Sequence, residues 1–260
     1  MSLYLRVFTL ALAGFLLAGC SPNTIGTPNT SFSTSLTGNW FFTTLYPGNV
    51  PQNIVYVGAL AQAGANVTAV LHNSCYSGDI DLSGTEDASG NLTLSSSNLP
   101  GNVLTITGTI TSTNGAVQTS SYKFTVTGSG PCALAATSLS GSLVPSFTGN
   151  YTGSIISTTS ASANFTVNIS QKSANSDGEF PLSGTVTVGS SSCTVTFPLS
   201  TLFAGAGFTV NLTSSSGPSS TAVFSAGPVT VNSNPAVLAN VNIAITGCNA
   251  GTFIGSLNRQ

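Results

Sequence analysis

Five cysteines, one histidine and six carboxylates are the side chains of this 260-residue chain best suited to covalent, acid–base or metal chemistry. Four of the cysteines stand far apart: Cys75 and Cys132 are 57 residues from each other (132 − 75), Cys193 and Cys248 are 55 (248 − 193). A zinc site needs cysteine and histidine at short spacing, so these positions assign no metal ligand. His72 precedes Cys75 by three residues, the makings of a Cys–His nucleophile and base. On a strand running into a turn, side chains at that offset point to opposite faces, and His72 reads as a surface residue. Serine hydrolysis would need the same histidine as its base, and no Gly-x-Ser-x-Gly elbow occurs.

Asp79, Asp81, Glu86 and Asp87 are the densest charge in the chain. Alternation predicts Asp79 and Asp81 on one face of a strand, with Glu86 and Asp87 in the following turn. Such a group suggests a weak Ca²⁺ site or a glycosidase acid/base pair. The second half of the chain has no acidic counterpart, and the acids are read as a solvated strand edge that charge protects from pairing. No catalytic residue and no cofactor is assigned, and the chain is not expected to be an enzyme.

The elements that must position these residues come in two copies. Leu36-Thr37-Gly38-Asn39-Trp40 answers Phe147-Thr148-Gly149-Asn150-Tyr151; His72-Asn73-Ser74-Cys75 answers Ser190-Ser191-Ser192-Cys193. Tyr122 to Gly128 before Cys132 parallels Asn242 to Gly247 before Cys248, and Leu139-Ser140-Gly141-Ser142-Leu143 parallels Phe253-Ile254-Gly255-Ser256-Leu257. Four landmarks in one order mark an internal duplication. The predicted domains are 36–145 and 146–260, each near the usual size of one domain and each expected to fold alone. Symmetry then pairs Cys75 with Cys132 and Cys193 with Cys248, two staples worth up to about 4 kcal/mol each in the chain-entropy model.

Within each copy the period is two. Phe165, Val167 and Ile169 alternate with Thr166 and Asn168, and Val241, Ile243 and Ile245 alternate with polar or small neighbours. Turn signals such as Tyr46-Pro47-Gly48-Asn49, Pro100-Gly101-Asn102 and Ser176-Asp177-Gly178 fall between the strands at short intervals. No gap suits a helical crossover, so the fold class is all-β, with antiparallel sheets and roughly eight strands in the first copy. A barrel-like meander is ranked ahead of a β-sandwich. The immunoglobulin pattern fails because Trp40 precedes both Cys75 and Cys132 instead of lying between them. Gly38-Asn39-Trp40 on a first strand is similar to the opening of lipocalin and avidin barrels, a resemblance of five residues that implies barrel closure and carries no ligand residues; the second copy departs from it at Tyr151. Trp40, Phe41 and Phe42 are consecutive, so one ring must face away from the core and meet solvent or another domain.

The first twenty residues, MSLYLRVFTLALAGFLLAGC, have a positive Arg6, an apolar Val7–Leu17 stretch and a small-residue exit. Leu17-Ala18-Gly19-Cys20 resembles the lipobox of bacterial lipoproteins. The resemblance implies a signal helix removed at 1–19 and a Cys20 that carries a diacylglyceryl group on its thiol and an acyl group on its new amino terminus. Two or more acyl chains anchor stably, at about 0.8 kcal/mol per buried methylene. Residues 20–35, rich in Ser, Thr, Asn and Pro, read as a flexible tether. Ser21 after the cysteine resembles the sorting pattern of outer-membrane lipoproteins. These features place the protein in the cell envelope.

After cleavage three cations remain, Lys123, Lys172 and Arg259, against six acids, a net charge of −3. So few scattered cations cannot neutralise phosphates, which excludes nucleic acid as a partner. Charged residues are 4% of the chain against roughly 25% in an average globular protein, while hydrophobic residues reach 41%. The exterior must therefore be hydroxyls and amides. The expected function is a non-catalytic binding, adhesion or scaffolding role toward an envelope polymer, glycan or protein. The alternative is carriage of a small apolar ligand inside a barrel, and an envelope hydrolase is third.

Overall fold

The computed structural model describes residues 35–44, 55–99, 101–110, 112–113, 116–117, 120–128, 134–158, 162–230 and 236–260. The signal peptide, Cys20, nearly all of the tether and Cys132 lie outside the described residues.

The first copy contains β1 (Gly38–Thr44), β2 (Val55–Ala63), β3 (Asn66–His72), β4 (Ile80–Glu86), β5 (Asn91–Ser96), β6 (Asn102–Thr109), the two-residue β7 (Ser112–Thr113) and β8 (Ala116–Val117), β9 (Ser120–Gly128) and β10 (Leu134–Val144). The second contains β11 (Gly149–Ile156), β12 (Ser162–Gln171), β13 (Phe180–Gly189), β14 (Thr194–Phe203), β15 (Phe208–Thr213), β16 (Thr221–Ala226), the short β17 (Val229–Thr230), β18 (Val237–Thr246) and β19 (Gly251–Arg259). The protein is all-β, two tandem antiparallel units that meet between Val144 and Gly149.

The first unit is a closed eight-stranded barrel in the order β1-β10-β9-β6-β5-β4-β3-β2, while β7 and β8 form a separate hairpin. The sandwich alternative is overturned, since β1 pairs with both β2 and β10 and the sheet closes on itself. The second unit repeats that strand order, from β14 through β11 and β19 to β15, but its two end strands share no ladder.

Alternation sets the lining of each barrel. Trp40 and Phe42 from β1, Tyr56 and Leu60 from β2, Val67 and Leu71 from β3 and Leu92 and Leu94 from β5 all point inward and are buried. In the second unit Tyr151, Phe165, Val167, Val186, Phe197, Phe224, Ile243 and Phe253 do the same. Eight strands leave an interior that side chains of this size can fill.

A hydrogen-bonded latch starts each barrel and repeats between the copies. The Leu36 N–H donates to Gln62 Oε1 (2.8 Å), and the Gln62 N–H donates to Thr37 Oγ1 (3.0 Å). Phe147, Gln171 and Thr148 repeat both bonds at 2.9 and 3.0 Å. Trp40 Nε1 donates back to the Leu36 carbonyl (2.8 Å), and the Tyr151 hydroxyl takes that place against the Phe147 carbonyl (2.8 Å). The replacement of Trp40 by Tyr151 thus keeps a ring in the core and a donor at its tip.

Candidate functional site

The residues singled out for chemistry are held in structural contacts at separate places. Cys193 and Cys248 form a disulfide that joins the start of β14 to the β18–β19 turn. Beside it Asn249, in a left-handed conformation (φ 57°), donates through Nδ2 to the carbonyls of Val188 (3.3 Å) and Cys193 (3.1 Å). Cys75 is also disulfide-bonded, so its sulfur is no thiolate nucleophile. It sits in the β3–β4 connection, the topological match of Cys193 between β13 and β14. His72 is half-buried, with its Nδ1 3.0 Å from Asp79 Oδ1.

The acids do not make the solvated strand edge that alternation suggested. β4 pairs with β3 on one side and β5 on the other, so it has no free edge to guard. Asp79 precedes β4 and faces His72, whereas Asp81 lies on the outer face and accepts from Asn98 Nδ2 (2.9 Å). Glu86 is the last residue of β4, not part of the turn, and is buried; Gln62 Nε2 donates to its Oε2. Burial raises the Glu86 carboxyl above its ordinary value, the Gln62 bond opposes that rise, and the Asp87 charge adds to it. Asp87 tops the hairpin, accepting from the Ser89 and Asn91 backbones and from Asn91 Nδ2, and the Asn91 bonds pull its carboxyl below the usual value. Among the described residues no three His, Cys, Asp or Glu side chains are grouped so as to hold a metal ion.

Phe41 is the ring that turns outward, and a domain contact covers it. Phe41 and Ala59 pack against the core of the second unit. Asn39, next to it on β1, is 2% exposed and clamps the β14–β15 connection: its Nδ2 donates to the Gly205 carbonyl (2.8 Å) and its Oδ1 accepts from the Gly205 N–H (2.9 Å). Gly205 has φ 88°, and a Cβ there would lie 2.7 Å from Val57 Cγ1 and 3.6 Å from Phe41, so only glycine both adopts the turn and fits the approach. Gly178 in the β12–β13 turn (φ 72°) is pressed as closely on Val70.

Among the described residues, one surface that could receive a ligand lies on the outer face of the second barrel. A groove of about 560 Å³ runs over β15, β16, β18 and β19. One row across it is Asn211, Val223, Ala244 and Thr252; the next is Thr213, Thr221 and Thr246. The Thr221 and Thr246 hydroxyls are 2.7 Å apart. Exposed Ile254 flanks the groove, and the pairing of β11 with β19 sets exposed Ile156 opposite it. No charged side chain lines the groove, so it offers hydroxyls, an amide and aliphatic carbon to a neutral partner. It was not visible in the chain as a site, because its residues come from four strands and carry no motif.

No family model, no curated protein and no solved structure matches this chain.

Proposed function

We propose that this chain is a lipid-anchored protein of the cell envelope that binds an uncharged envelope polymer or glycan and does not catalyse a reaction. The observation that carries the reading is the neutral groove of the second barrel, where two in-register rows put threonine hydroxyls beside Val223, Ala244 and Ile254. Hydroxyl pairs and aliphatic patches match the alternating polar and apolar faces of a neutral saccharide, and the absence of charge in the groove gives no advantage to an ionic ligand. The tethered Cys20 would hold the two barrels beyond the headgroups, and Ser21 favours the outer membrane in an organism that has one. The histidine, the disulfide-bonded cysteines and Glu86 are each engaged in contacts that hold the fold, which supports binding over catalysis.

The test is cosedimentation of the purified protein with isolated envelope polysaccharide. The wild type should cosediment, and Val223→Lys, which sets a charge in the groove without entering the core, should bind at least about tenfold more weakly. Equal binding by the two proteins refutes the groove as the site. Cys20→Ala should release the protein from washed membranes; retention in high salt and carbonate refutes the lipid anchor.

A further inference from the structure

Among the described residues the end strands of the second barrel, β14 and β15, meet at an unpaired seam, and the first barrel holds the loop at its end. In the first barrel β4 and β5 are joined from Leu82↔Ser96 to Glu86↔Leu92. Beyond that ladder the Asp81 N–H donates to Asn98 Oδ1 (2.9 Å), and the Asp81 carbonyl accepts from Ser97 (3.1 Å). The register aligns Asp81 with Pro198 of β14: Val70 pairs with Asp81 as Thr185 pairs with Pro198, and Val70 and Thr185 themselves stand opposite Ala59 and Asn168. Proline has no N–H to send across the gap. β14 and β15 lie side by side without a ladder, and near the far end the Thr196 carbonyl accepts from the Ser215 N–H (2.9 Å) while the Thr196 N–H donates to the Ser216 carbonyl (3.4 Å).

Behind the other end of the seam is aromatic packing. Phe203 ends β14, Phe208 begins β15, and both rings meet Phe147, at 5.1 and 5.3 Å. Leu202 beside them is 51% exposed. The loop that joins the two strands contains Gly205, whose N–H and carbonyl are both held by Asn39. The loop closes this end of the seam through the chain itself, and Asn39 fixes the loop against the first barrel, so β14 and β15 cannot hinge apart about it while Asn39 holds.

We infer that Asn39 of the first barrel is a clasp that keeps the β14–β15 seam of the second barrel shut, and that releasing it opens the second barrel laterally at that seam. The two halves are then coupled: a movement of the first barrel against the second pulls directly on the loop at the end of that seam. This inference does not depend on the groove or on its ligand.

Amide hydrogen exchange on the full mature chain tests it. In the wild type, Ser200 and Leu202 should exchange faster than β12 and β13. Asn39→Ala should speed exchange across β14 and β15 by about tenfold or more, the effect of losing two buried hydrogen bonds, while the first barrel and β12–β13 stay as they were. Pro198→Thr, which restores the missing N–H, should reduce that gain. If Asn39→Ala does not fold, Asn39→Ser, which keeps a hydroxyl in place of the amide but is too short to hold both Gly205 groups, should give the same pattern more weakly. Unchanged exchange in β14 and β15 overturns the inference. A rise spread evenly over both barrels also overturns it, since that is general destabilisation.

Discussion

Asn39 and Asn150 hold the same position in the two barrels, yet Asn39 is buried with both ends of its amide on Gly205 while Asn150 stands exposed. The neighbouring outward positions diverge in the same sense. Phe41, Val57, Ala59 and Val70 of the first barrel correspond by register to Thr152, Thr166, Asn168 and Thr185 of the second. The first barrel thus presents an apolar flank where the second barrel packs on it, and the second presents threonines and an asparagine at the matching positions.

The first half should therefore need its cover. Residues 36–145 alone would expose Phe41, Val57 and Val70 together and should self-associate in light scattering. Phe41→Ser with Val57→Thr should return the first half toward a monomer. A first half that is monomeric without these changes would show that the flank needs no cover.

Replacing Cys193 and Cys248 together by alanine should lower unfolding free energy by up to about 4 kcal/mol, read from urea denaturation under oxidising conditions. The Cys75–Cys132 link predicted by the duplication should appear in non-reducing peptide maps, with no bridge between the copies.

The latch glutamines are expected to be structural. Gln171→Ala leaves the Phe147 N–H without its acceptor and should cost about 1–3 kcal/mol by chemical denaturation. Gln62→Ala should cost more, because Gln62 also serves the buried Glu86.

Glu86 gives a pH dependence with a definite sign. Its carboxyl is raised in the fold, so the folded state holds the proton longer than the unfolded chain. Its contribution is full below the ordinary value of 4.5 and is lost as pH rises through the folded value. Asp87 acts oppositely, contributing above 3.8 and fading as pH falls. Glu86→Gln should remove the loss on the alkaline side and be at least as stable as the wild type at pH 7, measured by thermal melts across pH 4–8. A variant that loses stability more steeply as pH rises would contradict the burial of that carboxyl.

The all-β class, the duplication and which side chains share a face are legible in the chain, because period-two alternation and turn residues act within a few positions of it. That Trp40 and Phe41 face opposite ways follows from that period alone, and it narrowed the fate of the outward ring to solvent or a neighbouring domain; that the ring is Phe41 is seen only in the fold. Tertiary structure decided between them, since an outward side chain has the same local geometry in either case and only a partner far along the chain, here the Gly205 loop, removes it from water. The same holds for Glu86, a charge whose burial at the end of β4 depends on Gln62 from another strand. The seam was decided there too: Pro198 lacks an N–H wherever it sits, but which strand lies beside it, and whether that strand pairs, is set only once the sheet has curled round.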